Sequence, residues 1–285
     1  MIHPEKAPST KEIADHYDDL DWAYRDTWGE HVHHGLWRAG LESPGDAVLQ
    51  MTRCVADHAR IQSGKAVCDV GCGYGGTARL LSRELEARVT GITLSRLQYE
   101  YALAHRDDGR NRFILGDWLE NGLPPESFDA VIAIESVEHM ADKAACFRQA
   151  LRVLKPGGRF VFTTWLAGER TRSWERRWLL KPICREGRLP GIGAAGEYRH
   201  LLEQGGFDLC SYEDLSARVM RTWSYCTRHV MSRFFTDARY RRYVLSKDSR
   251  NREFALTLPR MWLAYKTGAL RYGLFVCVNG VRSRV

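Results

Sequence analysis

Five short apolar runs alternate with helical patterns through the middle of the chain: Ala66–Val70, Arg88–Thr93, Arg112–Leu115, Phe128–Ile134 and Arg159–Trp165. The run Phe128-Asp129-Ala130-Val131-Ile132-Ala133-Ile134 is almost continuously apolar, the pattern of a parallel strand buried on both faces. Between the runs, apolar residues recur at helical spacing over Thr77–Leu85, over Ser95–Arg106 with Ser95 as cap, and over Lys143–Leu154, which stops at Lys155-Pro156-Gly157-Gly158. Such alternation predicts an α/β fold with a doubly wound parallel sheet. A further helix over Glu197–Gln204 ends at Gly205-Gly206 and leads into strand six, Phe207–Leu215, and the last apolar run is Tyr272–Val278.

The flanks read differently. Ser9-Thr10 cap a helix over Lys11–Leu20 that carries Ile13, Tyr17 and Leu20 on one face. Residues 21–37 are aromatic and histidine-rich and read as irregular with short helical turns. A helix from Asp46 to about Arg60 turns Val48, Leu49, Thr52, Val55 and Ala56 inward. Between strands six and seven lie about 55 residues, far more than a hairpin needs. They are helical in composition and hold Trp223, Tyr225, His229, Phe234, Phe235, Tyr240 and Trp262. This divides the chain into an N-terminal lid segment, 1–45, and a sheet domain, 46–285, with lid insertions at about 166–196 and 217–269.

The 285 residues, 44% hydrophobic, suffice for one sizeable α/β domain with additions or two small ones. No apolar run reaches membrane-spanning length, and Met1–Lys6 lacks the apolar core of a signal peptide. Eight cysteines without a CxxC pair read as reduced, buried, small apolar residues, so a cytoplasmic location is expected. The net charge of +7 is uneven. Acids gather at Glu12, Asp15, Asp18, Asp19, Asp21, Asp26 and Glu30, whereas Arg170, Arg172, Arg176, Arg177, Lys181, Arg185 and Arg188 form one basic zone. A second runs from Arg218 to Arg260 and includes Lys247, Arg250 and Arg252. Basic zones of this kind suit an anionic partner, such as nucleic acid, acidic lipid or a diphosphate, or are simply solvated faces.

The chain is organised around Val67-Cys68-Asp69-Val70-Gly71-Cys72-Gly73-Tyr74-Gly75-Gly76. A buried strand runs into glycines and then a helix. Glycine admits positive φ and lets a ligand approach the backbone, and the helix N-terminus favours an anion. The Lys-Ser/Thr pair of a P-loop is missing, and Thr93 stands where a dinucleotide site expects an acid. Ligands of open α/β sheets bind outside the carboxyl ends of the strands. That rule gathers Asp69–Gly75, Thr93–Gln98, Asp117–Trp118 and Glu135–His139 along one edge.

Asp-Val-Gly-Cys-Gly-Tyr-Gly-Gly at 69–76, Gly-Ile-Thr-Leu-Ser at 91–95 with Gln98, and Gly116-Asp117-Trp118 resemble a class I S-adenosylmethionine-dependent methyltransferase over residues 60–165. Trp28-Gly29-Glu30-His31-Val32-His33-His34-Gly35, Glu135-Ser136-Val137-Glu138-His139-Met140, Met261–Gly268 and Tyr272–Cys277 resemble the γ-tocopherol methyltransferase family, which includes plant alkaloid N-methyltransferases. The resemblance thus covers nearly the whole chain. It implies a seven-stranded Rossmann-like sheet with the last strand antiparallel, S-adenosyl-L-methionine as cofactor with S-adenosyl-L-homocysteine as product, and methyl transfer to a small, largely apolar natural product. Phenol, amine and prenyl or terpenoid carbon acceptors all stay open. By the same resemblance, Asp69 belongs to the cofactor set, Gly71 and Gly73 admit the methionine part, Thr93, Leu94 and Gln98 meet the ribose and one adenine face, Asp117 the adenine amino group and Trp118 its ring. Tyr17, His33 and Glu135 complete the cofactor set. Thr93 departs from the acid of the general class but matches the tocopherol branch, so the ribose contact rests on Gln98 or backbone.

Methyl transfer needs alignment, a dry site and a proton acceptor. Candidate groups are His139, Glu138 and His34, with His33 and Tyr17 beside them; His139 reads equally well as a structural support. Glu135, Glu138 and His139 also form an E-x-x-E-H set, but no His soon after strand five completes a shell, so no metal is expected. Trp165, Tyr198 and Trp223 are expected in the substrate lid, where ring faces suit a flat or prenylated acceptor. The alternatives are a nucleic-acid methyltransferase using the basic lid, for which no stacking platform is visible, and a cofactor-binding scaffold without activity. The expected partner is a small, largely apolar molecule, with no nucleic acid and no transmembrane segment. Weak association with an acidic membrane and a homodimer are both allowed.

Overall fold

The computed structural model describes residues 1–107, 109–246 and 254–280; Lys247, Arg250 and Arg252 of the second basic zone lie outside the described residues. The strands are β1 Ala66–Val70, β2 Arg88–Thr93, β3 Asn111–Leu115, β4 Phe128–Ile134, β5 Leu154–Ala167, β6 Phe207–Asp214 and β7 Leu270–Asn279. They form a sheet of order β3-β2-β1-β4-β5-β7-β6. Pairing is parallel from β3 to β5, and β7 runs antiparallel to both β5 and β6. The doubly wound sheet with a reversed last strand is therefore as expected. β5 is longer than the expected Arg159–Trp165, and β7 opposes it from Arg159↔Val278 to Ala167↔Leu270.

One apolar cluster joins the helix Pro44–His58 to the sheet and to the helices of both insertions, through residues such as Met51, Val161, Leu180 and Met261. The other holds Phe147, Phe162, Tyr198 and Phe275 under the helices Lys143–Val153 and Ala195–Gln204. A small aromatic cluster, Leu20, Tyr24 and Tyr74 with Tyr17 and Trp28 against it, seats the N-terminal segment.

That segment holds one departure from the sequence reading. Helix Thr10–Asp19 is capped as expected, with a capping box between Ser9 and Glu12. A second helix, Asp21–Trp28, follows at once in the stretch read as irregular. Its first residue succeeds Leu20, which offers no side-chain cap, so the usual start signal is missing. Tertiary anchoring of Asp21, Tyr24 and Thr27, all buried, holds it instead. All eight cysteines are free, and only Cys210 is exposed. No helix among the described residues is long and apolar enough to cross a membrane.

Candidate active site

The turn after β1 is built for contact with a ligand. Gly71 has φ +74°, and a Cβ there would lie 2.3 Å from the Ser136 Cβ. The N–H groups of Gly71 and Cys72 both donate to the Ile92 carbonyl, at 2.9 and 3.0 Å, which ties the turn to β2. Gly73 has φ +54°, and a Cβ there would meet nothing within 4 Å; its backbone faces a cleft. Asp69 lines the same cleft and is only 2% exposed. Its Oδ2 has no hydrogen-bond partner among the described residues, and burial pushes its carboxyl up to about 7.

Thr93, Leu94, Gln98 and Trp118 line this cleft as well. The Thr93 hydroxyl donates to Gln98 Oε1 at 3.0 Å, and Trp118 Nε1–H donates to the Cys146 carbonyl at 3.2 Å. Asp117 sits differently. Its carboxylate accepts from the Leu119 N–H at 2.9 Å and from the Thr10 hydroxyl at 3.3 Å. It caps the short helix Trp118–Glu120 and does not line the cleft.

A second chamber adjoins the first. Tyr17, His33, Glu135 and His139 line both. Tyr24, Trp28, His34, Glu138, Leu189 and Trp223 complete much of the second, with Trp165 beside them.

Glu135 is the node between the N-terminal segment and the sheet. Its carboxylate accepts from the His34 N–H at 2.5 Å, His34 Nδ1–H at 2.8 Å, Trp165 Nε1–H at 3.0 Å and the Tyr272 hydroxyl at 2.8 Å. Burial opposes its charge, but the hydrogen bonds converging on it, those of His34 first, outweigh that and hold the carboxyl down at about 2. Its backbone is left-handed, φ +53°, a strain of about 1–3 kcal/mol that such contacts must hold in place. Trp223 fixes the His34 tautomer. Its indole N–H can only donate, and it donates to His34 Nε2 at 2.6 Å. His34 therefore carries its proton on Nδ1, toward Glu135, and both ring nitrogens are engaged. His34 lines the second chamber with both ring nitrogens already bonded within the protein.

His139 is left as an acceptor. Its Nδ1 faces the Arg188 carbonyl at 3.3 Å, and its Nε2 meets the Tyr17 hydroxyl at 2.8 Å. The carbonyl can only accept, so Nδ1 carries the proton and Nε2 takes the Tyr17 hydrogen bond. Burial lowers the imidazole to about 4 and raises the Tyr17 phenol well above its usual range; both are neutral at ordinary pH. Glu138 turns away from them to the Thr164 hydroxyl at 3.1 Å. Burial, then the charge of Glu135, raises it to about 8, so it stays protonated near neutrality. His33 bonds the His34 carbonyl through Nδ1 at 2.9 Å.

Tyr198 is corrected. It is fully buried among Phe147, Phe162 and Phe275 and lines neither chamber. Helix Ala195–Gln204 packs on the sheet and not over its edge, which carries Tyr198 inward. Sequence reasoning left out Ser136, whose hydroxyl donates to the Val70 carbonyl at 2.6 Å, and the pair Glu30–Arg79 at 2.6 Å. Both lie inside motifs already singled out. Tyr24 and Trp28 carry a clearer signal, four apart like helix neighbours. Among the described residues no group of three His, Cys, Asp or Glu side chains could hold a metal ion.

A methyltransferase-domain family model matches residues 68–162. The chloroplastic tocopherol O-methyltransferase of Arabidopsis thaliana is 30% identical over 295 residues, covering 94% of this chain and 81% of that protein. The 27-O-demethylrifamycin SV methyltransferase of Amycolatopsis mediterranei is 31% identical, covering 76% of this chain and 81% of its own. Among solved structures, a mycolic acid cyclopropane synthase in complex with S-adenosylhomocysteine and CTAB superposes with a TM-score of 0.84 at 19% identity, over 96% of this chain and 99% of that one. It speaks for the fold alone.

Proposed function

The chain belongs to the class I S-adenosylmethionine-dependent methyltransferases and is similar to the tocopherol methyltransferases, and from that premise we propose that it methylates a small, largely apolar phenol held in the second chamber. The observation that carries this is the shared wall. Tyr17, His33, Glu135 and His139 face both chambers, so a cofactor in one and an acceptor in the other would meet at a neutral Tyr17–His139 pair.

The residues present fit the cofactor. Asp69 offers an unpartnered buried carboxylate oxygen to the ammonium of its methionine part, and the Gly73 backbone leaves room beside it. Thr93, Leu94 and Gln98 would meet the ribose and one adenine face, and Trp118 the ring. When bound, the cofactor supplies a methyl group on a sulfonium. Asp69 then makes a testable contribution. Its ionised form is the one that binds a cation, and its carboxyl stands at about 7 in the free protein. Affinity for S-adenosylmethionine should therefore fall about tenfold per unit as pH drops below about 7, with proton release on binding that calorimetry in two buffers will detect. Affinity that is flat from about pH 5 to about 7 would remove Asp69 from the site.

In the proposed reaction the acceptor hydroxyl donates to the Tyr17 oxygen. As its proton moves to Tyr17, the Tyr17 proton moves to His139 Nε2. The proton then rests on the imidazole, whose Nδ1–H stays on the Arg188 carbonyl. Segments 1–45, 166–196 and 217–269 act as the lid, and Trp165 and Trp223 line the acceptor side. The unpaired cysteines support a cytoplasmic location within this proposal. Labelled methyl transfer to a panel of phenols, amines and prenylated phenols tests it. An apolar phenol should take the label, and Tyr17→Phe or His139→Gln should lower kcat about a hundredfold with cofactor affinity unchanged. Label entering only nucleic acid, or unaltered kcat in both variants, would overturn the reading.

A further inference from the structure

The helical stretch 173–186 has two unlike sides. Leu179, Leu180, Ile183 and Cys184 are buried against the fold. Trp174 and Trp178, four residues apart, are 41% and 62% exposed. Around them Arg170, Arg172, Arg176, Arg177 and Lys181 are all exposed. Arg177 lies 5.1 Å over the Trp178 ring, and Arg176 Nε–H donates to the Thr171 hydroxyl at 2.7 Å. Among the described residues none of these five cations ion-pairs with a carboxylate. The one acid within the face, Glu175, is buried and accepts the Arg172 N–H at 2.7 Å. Glu5 and Glu12 stand across the groove that Arg176, Arg177, Lys181 and Arg188 line, and Glu12 is engaged with Ser9 and Lys6.

We propose that this face docks on an acidic lipid bilayer, with Trp174 and Trp178 in the headgroup region and the surrounding cations against anionic headgroups. An amphipathic element with tryptophans on one side, flanked by arginine and lysine, has the make-up of an interfacial anchor, and paired exposed tryptophans rimmed by charge mark an interaction surface. The position gives docking a purpose. Arg188 lines the basic groove, its carbonyl faces His139, and the flanking Gly187 and Leu189 line the second chamber. One loop is thus the wall between the docking face and the acceptor chamber, so a poorly soluble acceptor has a short route from the bilayer. That purpose rests on the apolar-acceptor reading. The docking does not, because it is measured without turnover.

The test is sedimentation of the full chain with vesicles of phosphatidylcholine, alone or mixed with phosphatidylglycerol, at low and high salt. Binding should require the acidic lipid and weaken with salt. Arg176→Ala and Arg177→Ala should each lower it about fivefold, and the double change Trp174→Ala, Trp178→Ala should lower it about tenfold or more. Phe235→Ala removes a still more exposed ring, 74% accessible, on another helix and should leave it unchanged. Unaltered cofactor affinity certifies each variant as folded. Equal binding to both vesicle types, dependence on Phe235 in place of the tryptophans, or inorganic diphosphate that displaces the protein and binds the tryptophan variant as well as the parent would each overturn the proposal. The last would make the groove a small-anion site.

Discussion

Deletion of residues 1–37 will abolish methyl transfer and lower the thermal midpoint of the remaining domain by roughly 10 °C, the equivalent of about 4 kcal/mol in a chain of this size. No strand is removed, since β1 begins at Ala66. The sequence alone therefore suggests that the sheet would fold unaided. The side-chain partners show what that sheet would lose in stability. The Ser95 hydroxyl donates to Asp18, and the Tyr74 hydroxyl to Asp21 at 2.8 Å. Arg79, 5% exposed, has its carboxylate partner in Glu30, at 2.6 Å. His34 gives Glu135 two of its four donors. Deletion strands a buried guanidinium and a buried carboxylate, and leaving such a charge without its partner costs about 3–5 kcal/mol. Differential scanning calorimetry reads the midpoint. In the intact chain, hydrogen exchange should show amides near Tyr17 and Gly35 gaining protection when cofactor is added, as a closing lid requires. A truncated protein with the parent midpoint and parent turnover would reduce the segment to an appendage.

How much of this was legible depended on the range of the interaction that decides each feature. β4 announced itself because five successive apolar residues, Ala130–Ile134, are buried, and no local competitor exists for that pattern. The glycine turn was equally plain, since only glycine suits φ +74° where a Cβ would strike Ser136. The helix Asp21–Trp28 was not, because its start lacks a cap and its stability comes from contacts with distant residues such as Tyr74, Arg233 and Tyr240. Tyr198 was misplaced for a related reason. An aromatic residue on an amphipathic helix signals burial, but not which layer buries it. The role of His34 was out of reach. Its tautomer is set by Trp223, 189 residues distant, and nothing in the periodicity of either segment encodes that meeting. Asp117 shows the opposite case. The turn acid after β3 was visible, yet whether it faces a ligand or caps its own turn is decided by one rotamer.

Glu135→Ala will be the most costly point substitution at the site, destabilising the protein by about 5 kcal/mol. The reason is asymmetry. The carboxylate satisfies four buried donors from His34, Trp165 and Tyr272, and each one left unpaired costs about 1–3 kcal/mol, partly relieved by water entering the gap. The pH dependence separates this from a simple packing loss. Glu135 titrates at about 2 when folded, against 4.5 for the free group. A depressed carboxyl contributes stability that is full above about pH 4.5 and is lost as pH falls through about 2, on the order of 3 kcal/mol in all. His139, lowered to about 4, also destabilises the parent as pH falls from about 6.5, because the unfolded chain takes the proton first. Removing the Glu135 charge, which raises His139, lowers the imidazole further, so the variant suffers that loss at least as strongly. Their difference should therefore shrink steadily as pH falls below about 4.5. One further effect runs the other way: the Glu135 charge helps hold Glu138 at about 8, so the variant should ionise Glu138 at a lower pH. Denaturant unfolding of both proteins across this range is the measurement. A gap of less than about 1 kcal/mol that stays constant into acid would mean that Glu135 is not the charged node joining the N-terminal segment to the sheet.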